Sequence, residues 1–505
     1  MKLNLSFILF LIIGFITPDY LEAQTYYVST TGNDANAGTE AAPFKTLTQA
    51  LTKVTSSTTA SSVSGITIYM RGGVYPSAAT ISIGSSKSGT TTKIHKLYSY
   101  PGERAIIDFA TQTQNNSSSR GLSMSASYWH IKGIDFTNAG DNGMLLQTNA
   151  SYNTIEWCAF YRNDDSGLQL SGGANNNLIL NCDSYYNKDA TSENADGFAC
   201  KLDVGTGNKF RGCRAWQNSD DGWDGYLRPS DEIVTTLDSC WSIRNGYLES
   251  GATSGANGDR NGFKMGGSDA TDLSHNMTLT HCIAVYNGRR GFDQNNNRGS
   301  MTLYNNFAYA NASNFVMNSI ALSAGHTMTV KNCIALNAAG TGTGTVQFAS
   351  GAIVENNSWQ SPFTANLTDF LSVDTIGMRG PRKADGSLPD VVFGKLANGS
   401  DFIDGGQNVG LAYSGSAPDL GPFEKVTSVS TTYTFTGNGN WDVAANWLNS
   451  TIPPDVITAG SQIIIDPIVG GECVLNKYYK LAPNTTLTVI TGKVFRIPGY
   501  LQIVD

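Results

Sequence analysis

One stretch in the middle of the chain combines residue types and spacing that could do chemistry. NADGFACKL (194–202), NSDDGWDGY (218–226) and RNGFKMGG (260–267) share one short shape, a glycine followed by an aromatic residue. Set in register on that glycine, with Gly167 and Gly291 at the flanks, the residues before it are Ser166, Asp196, Asp221, Asn261 and Arg290. The residues two after it are Gln169, Ala199, Asp224, Lys264 and Asp293. Asp196 and Asp221 then stand on neighbouring repeats, Asp220 and Asp224 share the repeat of Asp221, and Lys264 follows Asp224 one repeat on. Four carboxylates so close repel strongly, and a bound cation would relieve them. Hard oxygen donors without a His or thiolate partner select Ca2+ over zinc or copper. Taken alone, SDDGWD reads equally well as a solvated turn; Asp196 arriving in register favours the cation.

Lys264 should lie about 4.8 Å from Asp224, the spacing of neighbouring strands. A lone lysine on an outer face is ordinarily solvated. Beside a dication its ammonium form is disfavoured, which lowers its pKa toward a value useful in a base. A metal-bound carboxylate with a lysine base suits removal of the proton α to a uronate carboxylate, followed by loss of the 4-linked sugar. That reaction is β-elimination, which consumes no water and leaves a C4–C5 double bond.

The elements that must position these residues are legible in the cysteines. Segments such as TIEWCAFYRN, LILNCDSYYN and LTHCIAVYN repeat an apolar run, Cys or Asn, and a second short run closed by Asn. The shared positions are Cys158, Cys182, Cys213, Cys240, Cys282, Asn306, Cys333 and Asn357, separated by 24, 31, 27, 42, 24, 27 and 24 residues. Such a period, built of strands and turns, predicts an all-β chain folded as a parallel β-helix, each coil burying its inner face against its neighbours. A leucine-rich repeat would need a regular Leu ladder, which is missing. The Cys and Asn positions should then stack inward, with the thiols free and buried rather than paired, and Asn163, Asn187, Asn218, Asn245, Asn287 and Asn311 should form a second column. Leu168, Phe198, Trp223, Phe263 and Phe292 should stack as core. The two long intervals carry extra residues just before Asp196 and just before Lys264, where they would wall a groove.

The remaining chain sets the boundaries. Residues 1–24 have a Lys near the start, an apolar run from Phe7 to Ile16 and Ala23 at a plausible cleavage point, which reads as a signal peptide and predicts a secreted protein. No later run is long enough to span a membrane. An amphipathic helix from about Phe44 to Val54 would cap the first coil. The β-helix should extend over residues 25–425, and residues 432–505 read as a small β-rich accessory module in which Trp441 and Trp447 serve as core. With 505 residues, 15% charged, and a net charge of -8, the chain carries no basic stripe for nucleic acid. A monomer is expected.

NADGFACKL, FRGCRAWQNSDDGWD, NGFKMGG and GFDQNNN closely resemble polysaccharide lyase family 9, secreted right-handed parallel β-helix enzymes that cleave pectic polymers. The resemblance implies Ca2+ ligands at Asp196, Asp220, Asp221 and Asp224 and a Brønsted base at Lys264. It implies a substrate of polygalacturonate (pectate) or of rhamnogalacturonan I, without choosing firmly between them. Arg289, Arg290, Lys201 and Arg228 lie near the inferred groove and could pair with uronate carboxylates. No more than two of the four are expected to do so. Two rivals stand beside this reading: a polygalacturonase-type hydrolase, which would need paired carboxylates and whose Gly-His-Gly is missing, and a non-catalytic polysaccharide-binding β-helix that keeps calcium for stability.

Overall fold

The computed structural model describes residues 24–269, 272–425, 431–455, 457, 461–481 and 485–503. The expected signal peptide therefore lies, but for Gln24, outside the described residues. The chain divides into two compact units, one of residues up to 413 with 417–424, the other of residues 414–416 with 425–505.

The larger unit is a parallel β-helix. Three sheets of 12, 10 and 10 strands run along it, and each complete coil gives one strand to each sheet. One coil comprises Thr154–Glu156, Ala159–Tyr161 and Leu168–Leu170, and the next begins at Leu178–Leu180. Strands this short are held by their corners. The Cys column occupies the corner between the 12-stranded sheet and the sheet that contains Ala159–Tyr161, and all eight thiols are free and buried. The second corner carries the expected asparagine column, in which Asn187 donates from Nδ2 to Asn218 Oδ1 at 2.8 Å and Asn218 to Asn245 Oδ1 at 2.9 Å. The third corner holds a ladder that the sequence reading did not include, Asn153, Asn177 and Asn208, linked the same way at 3.0 and 3.1 Å.

These corners are tight. The residue before each column position takes a left-handed backbone, at Trp157, Asn181 and Ser239 before the cysteines and at Arg162, Tyr186 and Gln217 before the asparagines. Such φ values cost a non-glycine residue about 1–2 kcal/mol each, which the repeated ladder bonds offset.

The N-terminal cap is shorter than expected. The helix covers only Leu47–Leu51, and a second runs from Ser56 to Ser61. Phe44 instead bridges to Val28 as an extended residue, and Thr55 ends any continuous helix because its side chain caps the second one in a reciprocal box with Thr58. Leu47, Ala50 and Leu51 still cover the first coils.

Residues 359–413 and 417–424, with little regular structure, pack over the outer face of the sheet that contains Ala159–Tyr161. Phe370, Phe393, Phe402 and Leu420 bury there against Trp241, Ile283, Phe307 and Ile334, each large side chain contributing roughly 1.5–3 kcal/mol of burial. Arg382 from this segment and Arg214 from the sheet grip Asp183 at 2.7 Å each.

The smaller unit has its own parallel pairs, Thr432–Phe435 with Gln462–Ile465 and Thr486–Val489, and Gly439–Asn440 with Glu472–Val474 and Val494–Arg496. Trp441 and Trp447 sit in its core, 0% and 2% exposed, and Trp447 Nε1 donates to Trp441 O at 2.7 Å.

Candidate functional site

The charged residues sit on the sheet that contains Leu168–Leu170, in the register that the glycines set. Phe198 pairs with Trp223, Trp223 with Phe263 and Phe263 with Phe292, so the aromatic rings stack about the helix interior at 4.9, 4.9 and 5.1 Å. One residue on, Ala199 pairs with Asp224, Asp224 with Lys264 and Lys264 with Asp293. The glycine is required by close approach: a Cβ on Gly222 would fall 2.3 Å from Ser242 Oγ and 2.6 Å from Gly262 O.

The acidic residues are not a solvated turn. Asp196 and Asp221 are wholly buried, and Asp220 and Asp224 are 3% and 5% exposed. Asp196, Asp220 and Asp221 each offer a carboxylate oxygen, and these oxygens lie within 4.8 Å of one another. Asp221 Oδ1 accepts from Asn261 N at 2.6 Å, whereas its Oδ2 is buried without a hydrogen-bond donor and faces Lys264 Nζ at 3.4 Å. A converging set of hard oxygens, one of them unsatisfied, fits a calcium ion. Asp224 lies outside that 4.8 Å set but shares its lysines, with Oδ2 at 3.2 Å from Lys201 Nζ and Oδ1 at 3.6 Å from Lys264 Nζ.

Electrostatics follow this geometry. Burial, then the neighbouring carboxylates, push Asp220 and Asp221 well above the usual carboxylate range. Burial carries Asp196 up to about 6, with Lys201 opposing it. Asp224 is also buried, yet Lys264 and Lys201 together hold it below its ordinary value.

Lys264 is 8% exposed and so is no surface decoration. The lowered pKa expected for Lys264 belongs to the calcium-bound site, and the carboxylates by themselves act on it in the opposite direction. Burial lowers it, but Asp224, Asp221, Asp259 and Asp220 outweigh burial and hold the ammonium well above its ordinary range. Around it runs a groove of about 790 Å3. Both inserted segments wall this groove and meet, Asn257 Nδ2 donating to Thr191 O at 3.1 Å.

The four cations proposed for substrate separate into two pairs. Lys201 and Arg228 line the groove, whereas Arg289 and Arg290 are not among its lining residues. Lys201 is 8% exposed and reaches Asp196 Oδ2 at 2.7 Å, so it is committed to the acidic cluster. Arg228 is exposed and pairs with Asp269 at 2.5 Å. Arg289 pairs with Asp259 and Arg290 with Asp293.

Sequence reasoning missed Asp259, whose Oδ2 lies 3.0 Å from Lys264 Nζ. It also missed a wall at residues 115–120 and a pair farther along the groove, Asp141 and Asp165. Arg120 sits 3.2 Å from Asp141, and burial pushes Asp165 up to about 7. Asp141 and Asp165 precede Gly143 and Gly167 by two, as Asp220 precedes Gly222, and that offset could have revealed them.

A parallel β-helix with a polar groove over one sheet and a buried cluster of carboxylates and lysines at its floor is the class of protein that fold and site define. Residues 26–332 match the model of the Pel9A-like, right handed beta helix region. Pectate lyase L of Dickeya chrysanthemi is 34% identical over 408 residues, which cover 80% of this chain and 91% of that protein. The crystal structure of pectate lyase Pel9A is 33% identical with a TM-score of 0.71, covering 80% of this chain and 97% of that one. A rhamnogalacturonan lyase structure is 26% identical with a TM-score of 0.63, covering 74% and 97%. The chain belongs to the Pel9A-like right-handed β-helix family, and it is a polysaccharide lyase.

Proposed function

We propose that this chain cleaves polygalacturonate by calcium-assisted β-elimination, with Asp196, Asp220, Asp221 and Asp224 holding the ion and Lys264 as the base. The observation that carries the reading is the unsatisfied, buried Asp221 Oδ2, set among converging carboxylates 3.4 Å from Lys264 Nζ. When bound, Ca2+ would neutralise the uronate carboxylate and make the adjacent C5 proton more acidic.

Lys264 would remove that proton from its place on the groove floor. The C5–H electron pair becomes the C4–C5 double bond, the bond from C4 to its glycosidic oxygen breaks, and the departing sugar takes a proton from water, which recovers one from the Lys264 ammonium. Burial favours the neutral amine, whereas Asp221 and Asp224 favour the ammonium. Negative charge drawn from those two carboxylates therefore moves Lys264 toward the form that accepts a proton. Among the cations, Arg228 is exposed, lines the groove and would have to exchange Asp269 for a second uronate, and Lys201 contributes by steadying Asp196 and Asp224.

Pectate lyases among the relatives support polygalacturonate as the polymer. The likeness to a rhamnogalacturonan lyase favours a second reading, the same chemistry on the rhamnogalacturonan I backbone. The test is ultraviolet absorbance of the unsaturated uronate product, with each polymer in parallel, with calcium and with chelator. A calcium-dependent rise on polygalacturonate is expected. A rise only on rhamnogalacturonan I selects the second reading, new reducing ends without the chromophore select hydrolysis, and no product on either leaves a binding protein.

Export and a monomeric state complete the proposal. Export is supported by the leader-like first 24 residues. Among the described residues no helix is long and apolar enough to cross a membrane.

A further inference from the structure

We infer that Asp259 is a positioning residue that draws Lys264 toward itself, loosens its contact with Asp221 and so limits competition between the base and the cation. The inference rests on the reading of Lys264 as base and of the aspartates as the calcium site.

Three carboxylates face Lys264 Nζ: Asp259 Oδ2 at 3.0 Å, Asp221 Oδ2 at 3.4 Å and Asp224 Oδ1 at 3.6 Å. Asp259 is the nearest, and of the three it alone lies outside the expected calcium ligands. Its second oxygen is held by Arg289 Nη1 at 2.8 Å, which gives that arginine a partner on the protein rather than on the sugar. Asp221 Oδ2 has no hydrogen-bond donor. A lysine released from Asp259 would move closer to that oxygen than its present 3.4 Å and repel an incoming dication more strongly.

The inserted segment is built to deliver Asp259 to this spot. Asp259 N and Arg260 N both donate to Asp220 Oδ1, at 2.5 and 3.3 Å, so the loop is tied to one of the expected ligands. Gly258 permits the approach, since a Cβ there would fall 2.5 Å from Ser192 O and 2.9 Å from Asp220 Oδ1. The side chain of Asp259 is 36% exposed, so its substitution leaves the core untouched.

The test combines calcium titration calorimetry with steady-state kinetics. With Lys264 in place, Asp259→Asn should weaken calcium binding about tenfold, and in a Lys264→Met background only about twofold, because the competing ammonium is gone. In the kinetics, Asp259→Asn should lower kcat by about 10- to 100-fold with a smaller change in KM, and Asp259→Glu should recover part of the loss. An equal loss of calcium affinity in both backgrounds, or an unchanged kcat, overturns the role of Asp259. Failure of the unsubstituted protein to bind calcium, or full turnover by Lys264→Met, overturns instead the reading on which the inference rests.

Discussion

Two stacked polar columns run through the same coils and differ in what completes them. In the ladder of Asn153, Asn177 and Asn208, the middle amide accepts from Asn153 N and Nδ2 and donates to Ala150 O and Asn208 Oδ1, all at 3.0–3.1 Å. Each amide is both donor and acceptor, so the column satisfies itself by repetition and needs nothing from outside. The charged cluster cannot do this. Its carboxylates accept without donating, Asp221 Oδ2 is left with no donor, and two lysines are drawn in to balance the charge. Repetition therefore builds the scaffold, and the places where it breaks, by a change of charge or an inserted segment, are where the chemistry sits.

The largest effect that would break this contrast is at Lys264. Lys264→Ala should lower turnover on the correct polymer by about 10³-fold while leaving the fold intact, which parallel kinetics and thermal unfolding would establish. Near-normal turnover would remove the base from the proposal and turn the column into a structural ion-pair network.

Asp221→Asn comes next, because it keeps shape and removes one charge. Calcium affinity should fall by roughly tenfold or more. Stability of the calcium-free protein should rise by about 1 kcal/mol, since burial and Asp220 already penalise the Asp221 carboxylate. Opposite signs in calorimetry and in urea unfolding would mark a functional site. A loss in both would place Asp221 with the scaffold.

Asn177→Ala should do the reverse. It strips two donors of Asn153 of their acceptor in a fully buried corner, and a loss of about 3 kcal/mol is expected, with turnover at neutral pH little changed. A comparable drop in turnover would show that the ladder and the groove are not separable.

How much of this was legible follows from the same contrast. The coil period, the buried free thiols and the Asp224 to Lys264 register came from residue identities that recur at fixed offsets. Asp259 was hidden because it lies in an insertion, where register with other coils has no meaning. The Asn153 ladder was missed because its residues sit in asparagine-rich turns such as ANNN, where one amide does not stand out. The over-long cap helix reflects a choice that sequence periodicity does not contain, since Phe44 fits an extended bridge as well as a helical face. The covering segment of residues 359–413 and 417–424 has no period at all, and its burial depends on an outer sheet face that exists only once the coils are stacked.

A final effect sharpens the comparison from the capped end, far from either column in sequence. His95 is wholly buried and neutral: Nδ1 accepts from Ile66 N at 2.9 Å, which leaves Nε2–H to meet Thr59 Oγ1 at 3.1 Å. Burial depresses its pKa from 6.5 to about 4, opposed by a backbone hydrogen bond at Ser88. As pH falls below 6.5, the unfolded chain takes up a proton that the folded chain refuses until about pH 4. The stability present at neutral pH is therefore lost through that window, by up to about 3 kcal/mol for this one group. Urea unfolding at pH 7 and at pH 4.5 should show a smaller decline for His95→Gln than for the unsubstituted protein. Equal declines would assign the acid sensitivity to other groups and leave the cap a self-satisfied structure like the asparagine ladder.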